Sequence, residues 1–223
     1  MGLTFGGVLI GSWYVYHINY LEFKRSIDQY TTAVNSQEYL ENQDKHITLG
    51  LRGGIEIARR THNYAAGWKS LVDHTRAIVN RLEEHSSDDL RRFPAEYAER
   101  LKDSLRDTVE NDFINDLRRM AQHKSLPVPK LYFIFDQDGA GWHFNFHPDD
   151  IRDFDWRAST RRFIEANSSI PIGKLIGNHY AKMKEFYQWI DFRDRQLGPY
   201  ANANLDGVSF DEWKSSDSWN RAV

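Results

Sequence analysis

The chain contains no cysteine. Disulfides, zinc ribbons and thiol nucleophiles are excluded together, and a disulfide-free chain fits a reducing cytoplasm, the compartment expected for it. Six prolines and fourteen glycines in 223 residues are too few for a collagen-like or proline-rich architecture. An excess of positive charge is also missing: 29 Lys and Arg stand against 32 Asp and Glu, a net charge of −3. Bulk attraction to nucleic acid comes from many neutralised phosphates, so any contact with RNA has to be local. An unbroken apolar run long enough for a membrane span, roughly 20 residues, is not present. Residues 1–21 carry no side-chain charge with histidine neutral, but Gly6, Gly7, Gly11, Ser12, His17 and Asn19 interrupt them. Neither a basic leader nor a small-residue cleavage site is evident. This stretch, 1–20, is expected to pack its aromatics on the body of the protein rather than to anchor in a membrane.

What the chain has is an ordinary hydrophobic share, 40%, and an unusual number of large rings, 14% Phe, Trp and Tyr. Such side chains suit packing between helices or strands. Polar residues 20–42 with spaced Leu21, Ile27, Tyr30 and Ala33 read as a helix. Gly50, Gly53 and Gly54 read as punctuation before the next segment. From Ile55 to Leu82 apolar residues recur every three or four positions, which predicts a long amphipathic helix. Pro94 fits a first helical turn. Another helical face runs from Tyr97 to Ala121 and is stopped by Pro127 and Pro129.

The period then changes to two. Leu131–Asp136 and Gly141–His147 flank a Gly- and Asp-rich turn, which predicts a β-hairpin within 131–147. Helices resume over about 156–167 and after Pro171. A helical domain over 21–196 followed by a tail, 197–223, is the expected organisation. Within the hairpin, Asp136 and Asp138 resemble the start of a calcium loop, but the twelfth position is His147 rather than the bidentate Glu such a loop needs.

Two sets of polar residues carry candidate chemistry. Arg118, Arg119 and His123 sit before Pro127 at the end of a helix. At about 100° per residue, Arg118 and His123 lie about 140° apart, while Arg119 and His123, at i and i+4, share a face. A cationic helix C-terminus that complements the dipole has the same appearance. On the long helix, Arg59, Asn63, Ala66, Ser70, His74, Ala77 and Arg81 form a small, polar stripe. That stripe reads either as a solvated or close-packed face, or as a shallow groove in which Asn63 and His74 meet a phosphate.

The segment Arg60–Arg76 (RTHNYAAGWKSLVDHTR) and the segment Phe113–Pro127 (FINDLRRMAQHKSLP) resemble the signature helices of bacterial HEPN-like proteins, the second carrying the family's arginine, four residues, histidine motif. Downstream, Trp156 and Phe186-Tyr-Gln-Trp189 are similar too, so the resemblance spans about 55–192. It implies a mainly α HEPN-like helical bundle with an inserted hairpin, a homodimer whose Arg/His pairs meet across the two-fold axis, and a metal-independent endoribonuclease. It also implies a toxin or phage-defence role, with a neutralising antitoxin as a partner, and no cofactor.

In that reading Arg118 and His123 are catalytic, with Arg119, Asn63, His74 and Arg59 binding substrate. One departure stands out: the position after the motif arginine is usually small and polar, and here it is Arg119. The chemistry is coherent, because RNA supplies its own 2′-OH nucleophile and asks only for proton transfer and stabilisation of phosphorane charge. Histidine titrates near neutrality and a guanidinium grips two phosphate oxygens. The alternative is a non-catalytic helical module for binding or interaction.

Overall fold

The computed structural model describes residues 5–85, 87–106, 108–123, 126–136, 139–197, 205 and 207–215. The fold is mainly α with a β-hairpin, as the sequence pattern predicts. Helices α1 (Phe5–Ala33), α2 (Gln37–Leu40), α3 (Gln43–Leu82), α4 (Asp88–Leu101) and α5 (Val109–His123) come first, with a π-helical turn at Lys102–Arg106 between the last two. Strands β1 (Lys130–Asp136) and β2 (Gly139–Phe146) follow, then α6 (Pro148–Ile151), α7 (Ala158–Ala166), β3 (Ile170–Pro171), α8 (Ile172–Leu197) and α9 (Phe210–Ser215). Residues 124 and 125 of the motif segment, hairpin residues 137 and 138, and Trp219 of the tail lie outside the described residues. Among the described residues, no helix is long and apolar enough to cross a membrane.

Several elements depart from the sequence pattern, among them the helical face predicted from Tyr97 to Ala121, which the π-helical turn at Lys102–Arg106 interrupts. From Phe5 the uncharged N-terminal stretch runs on into the polar stretch as one helix, α1, which ends at Ala33, so the helix predicted over 20–42 is divided between α1 and α2. The glycines at 50, 53 and 54 do not punctuate: α3 runs through them without a break. Their use is proximity. A Cβ on Gly53 would come within 2.6 Å of the Phe144 ring, and one on Gly54 within 2.4 Å of the Pro129 carbonyl oxygen. Glycine costs helix stability, and here that cost lets the hairpin lie directly on the helix backbone. Pro94, finally, sits well inside α4, which already starts at Asp88.

The chain divides into two compact units, one made of residues 15–69 and 108–179, the other of 1–14, 70–107 and 180–223. The first holds the sheet, with order β1-β2-β3 and antiparallel pairing throughout. Alternation puts Phe144 and Phe146 on its covered face, where both are buried. Phe113 of α5 stacks on Trp156 (ring centroids 5.2 Å) and on Phe146 (6.3 Å). Deeper in this unit the hydroxyls of Tyr16 and Tyr64 are 2.6 Å apart, and Tyr64 Oη is 2.6 Å from His179 Nδ1. All three side chains are fully buried.

The second unit is an aromatic core. Phe93 stacks on Trp189 at 5.6 Å, and Trp213 of α9 packs on Phe192 at 5.4 Å. Inside it the Tyr187 hydroxyl is 2.7 Å from Thr75 Oγ1, and burial pushes that phenol far above its ordinary range.

Candidate functional site

Helix α5 forms because Phe113, Ile114, Leu117 and Met120 recur at helical spacing and are all buried. The stripe leaves two flanks. One carries Asp112, Asp116 and Arg119 toward the segment leading into α7. Asp116 is only 1% exposed and its Oδ2 accepts from the backbone N–H of Arg157, the N-cap residue of α7, at 2.9 Å. Asp112 accepts from the Arg157 guanidinium at 3.0 Å and from the Ser159 hydroxyl. Arg119 donates to the Asp155 backbone carbonyl and to Asp155 Oδ2 (3.2 Å), and its Nη2 is 3.3 Å from Asp116 Oδ1. A buried carboxylate flanked by two guanidiniums is a structural clamp, and Arg119 is part of it.

The other flank carries Arg118. It is half-buried and makes no hydrogen bond or ion pair among the described residues. His123, the last residue of α5, is exposed and has no hydrogen-bond partner among them either. Five residues of helix separate the pair by about 140° and about 7.5 Å of rise. One chain therefore presents a cation and an imidazole on different sides of the same helix.

On α3, Arg59 is exposed and grips Glu56 with two hydrogen bonds, 2.8 and 2.6 Å. Glu56 also accepts from Arg60 at 2.8 Å. The two guanidiniums, Arg59 first, hold the Glu56 carboxyl below its usual range, and the Glu56 carboxylate in turn raises Arg59. Asn63, one turn on from Arg59, is half-buried without a hydrogen bond among the described residues. His74 is exposed, and its Nδ1 is 2.6 Å from Ser12 Oγ. His74 belongs to the aromatic-core unit, whereas Arg59, Asn63, Arg118, Arg119 and His123 belong to the unit with the sheet.

Two features were not read from the sequence. The Asp112/Asp116 pair at i and i+4 was a visible signal on α5, but its partners lie about 40 residues downstream. The Tyr16–Tyr64–His179 chain joins residues that no spacing rule connects. No protein-family model matches the chain, and no curated protein or solved structure matches it significantly.

Proposed function

We propose that the protein is a metal-independent endoribonuclease of HEPN type, acting on RNA in the cytoplasm in a toxin or phage-defence role and held in check by a neutralising partner. The observation that supports this reading is the division of labour at the motif. Arg119 is engaged by Asp155 and Asp116, while Arg118 beside it has no anion of its own among the described residues. The unusual second arginine thus serves the scaffold, and Arg118 is the cation left for a phosphate.

In the proposed mechanism the Arg118 guanidinium holds two non-bridging oxygens of the scissile phosphate and keeps its charge as the phosphorane forms. His123 takes the proton of the 2′-OH as it attacks phosphorus. The 5′-oxygen leaves with a proton from a second imidazole, giving a 2′,3′-cyclic phosphate. Because the pair lies on different sides of α5 within one chain, the arrangement needs His123 and Arg118 of a second copy. The same separation favours the other reading, a helical module that binds without cutting.

Cleavage of single-stranded RNA with EDTA present separates the two. The wild type should cut, and His123→Ala and Arg118→Ala at matched circular dichroism should each be slower by about 10²–10⁴-fold. Undiminished cutting by His123→Ala would remove the mechanism. A wild type that does not cut leaves the binding module.

A further inference from the structure

The chain turns a corner between α2 and α3, and a cleft of about 290 Å³ opens inside it. Glu38 and Tyr39 of α2 form one wall, and the first turns of α3 form the other. Two contacts fix the corner. The Asn42 side chain accepts from the Lys45 backbone N–H at 3.0 Å, the bond of a helix N-cap. The Lys45 ammonium donates to Glu38 at 2.8 Å.

One side of α3 supplies the rest of the lining. With Leu49 as the zero of angle, Lys45, Arg52, Thr48 and Asp44 follow at about −40°, −60°, −100° and −140°, at about 100° per residue, and all of them face the cleft. Lys45 and Glu38 neutralise each other. Asp44 and Arg52 are exposed, and the side chain of neither makes a hydrogen bond or ion pair among the described residues. The reason is local. Glu56, the acid one turn beyond Arg52, is already held by Arg59 and Arg60, and the residue one turn beyond Asp44 is Thr48.

The cleft therefore has an unpaired anion toward one end, an unpaired cation toward the other and a charge-balanced middle. Eight residues of helix put Asp44 and Arg52 about 12 Å apart along the axis. Helical side chains lean toward the N-terminus, so the long Arg52 side chain extends back over Thr48 and narrows that gap. A molecule that satisfies both ends carries a cation and a carboxylate on one extended stem. The remaining groups favour a guanidinium as the cation. Its planar fork pairs bidentately with a carboxylate such as Asp44, and it stacks on an aromatic face, which the half-buried Tyr39 supplies.

We infer that this cleft binds arginine by its guanidinium and its carboxylate together. Asp44 and Tyr39 take the guanidinium. The Arg52 fork takes the carboxylate, with the Thr48 hydroxyl one turn away as a second donor, and the methylene stem covers the half-buried Leu49. The α-amino group is left to water, so the free amino acid and a peptide that ends in arginine carry the same chemistry. The residues involved lie on α2 and the start of α3, apart from the motif helix. Binding here stands whether or not Arg118 and His123 cut RNA.

The cleft is open and its charges stand in water, where one ion pair contributes little, so a ligand of this size should bind with a dissociation constant of about 1 mM. Titration of the isotope-labelled full chain with L-arginine should move the amide resonances of residues 38–52 along a saturable curve. Agmatine, which lacks the carboxylate, and citrulline, whose ureido group is neutral, should each bind about five- to tenfold more weakly. Arg52→Gln and Asp44→Asn change exposed side chains and should match the wild type by circular dichroism. Arg52→Gln should erase the advantage of L-arginine over agmatine and keep its advantage over citrulline, and Asp44→Asn should do the reverse. N-acetyl-L-arginine separates the two sources: binding equal to L-arginine assigns the cleft to a peptide end as well, weaker binding to the free amino acid, and either upholds the site. Shifts that do not saturate, or that centre outside residues 38–52, overturn the proposal. So does agmatine or citrulline binding the wild type as tightly as L-arginine does.

Discussion

A glycine in a helix is read as a weakness until its neighbours are known. Gly54 and Gly177 both occupy helix interiors, yet they predict opposite outcomes. No atom lies within 4 Å of where a Gly177 Cβ would stand, so Gly177→Ala should stabilise the protein by about 0.5–1 kcal/mol through helix propensity. At Gly54 the added carbon meets the Pro129 carbonyl, a backbone atom that yields only if the hairpin entry moves. Overpacking costs about 1–3 kcal/mol, so Gly54→Ala should be destabilising despite the better propensity. Urea unfolding of the two variants checks both signs. The same local blindness applies to arginines 118 and 119. Adjacent and identical in sequence, they differ in the structure because one points at Asp155 and Asp116 and the other does not.

Helices were legible where their apolar residues recur and where a neighbour does not override the local rule. The faces of α3 beyond Ile55, of α5 and of α8, and both hairpin strands, follow from periodicity alone. The extension of α3 back to Gln43 does not, since three glycines within five residues signal a break unless the sheet above them is known. β3 escaped as well, because a two-residue strand has no period. Within α3 the Glu56 node gives a pH signature. Arg59 and Arg60 lower the Glu56 carboxyl, so its contribution to stability is present above the ordinary Glu range and is lost as pH falls through the folded value. Glu56→Gln should cost about 0.3–1 kcal/mol at pH 7 for two helix pairs, the one with Arg59 on the surface and the one with Arg60 half-buried. The gap from wild type should narrow as pH falls below the ordinary Glu range, as thermal unfolding at a series of acidic pH values would record.

For the chain as a whole, the net charge of −3 sets how binding to RNA depends on salt. Two or three neutralised phosphates on a single strand give a slope of log K on log salt of about −2, far shallower than for proteins that bind by bulk positive charge. Fluorescence anisotropy of labelled RNA from 50 to 200 mM salt, with an uncleavable 2′-modified strand, measures it. A slope steeper than about −4 would assign binding to many of the surface arginines rather than to Arg118. The candidate site was legible as residue types on one helix, but its assembly was not, since a helix presents Arg118 and His123 on different sides and sequence spacing says nothing about a second copy.

The hydroxyl line from Tyr16 through Tyr64 to His179 carries its own observable. Protons held between oxygen and nitrogen atoms 2.6 Å apart, in side chains that water does not reach, exchange slowly with solvent. They should give resolved downfield resonances in a proton magnetic resonance spectrum, and Tyr16→Phe should erase one of them while shifting its neighbour. Those signals would report on the folding of the sheet-bearing unit independently of its surface chemistry.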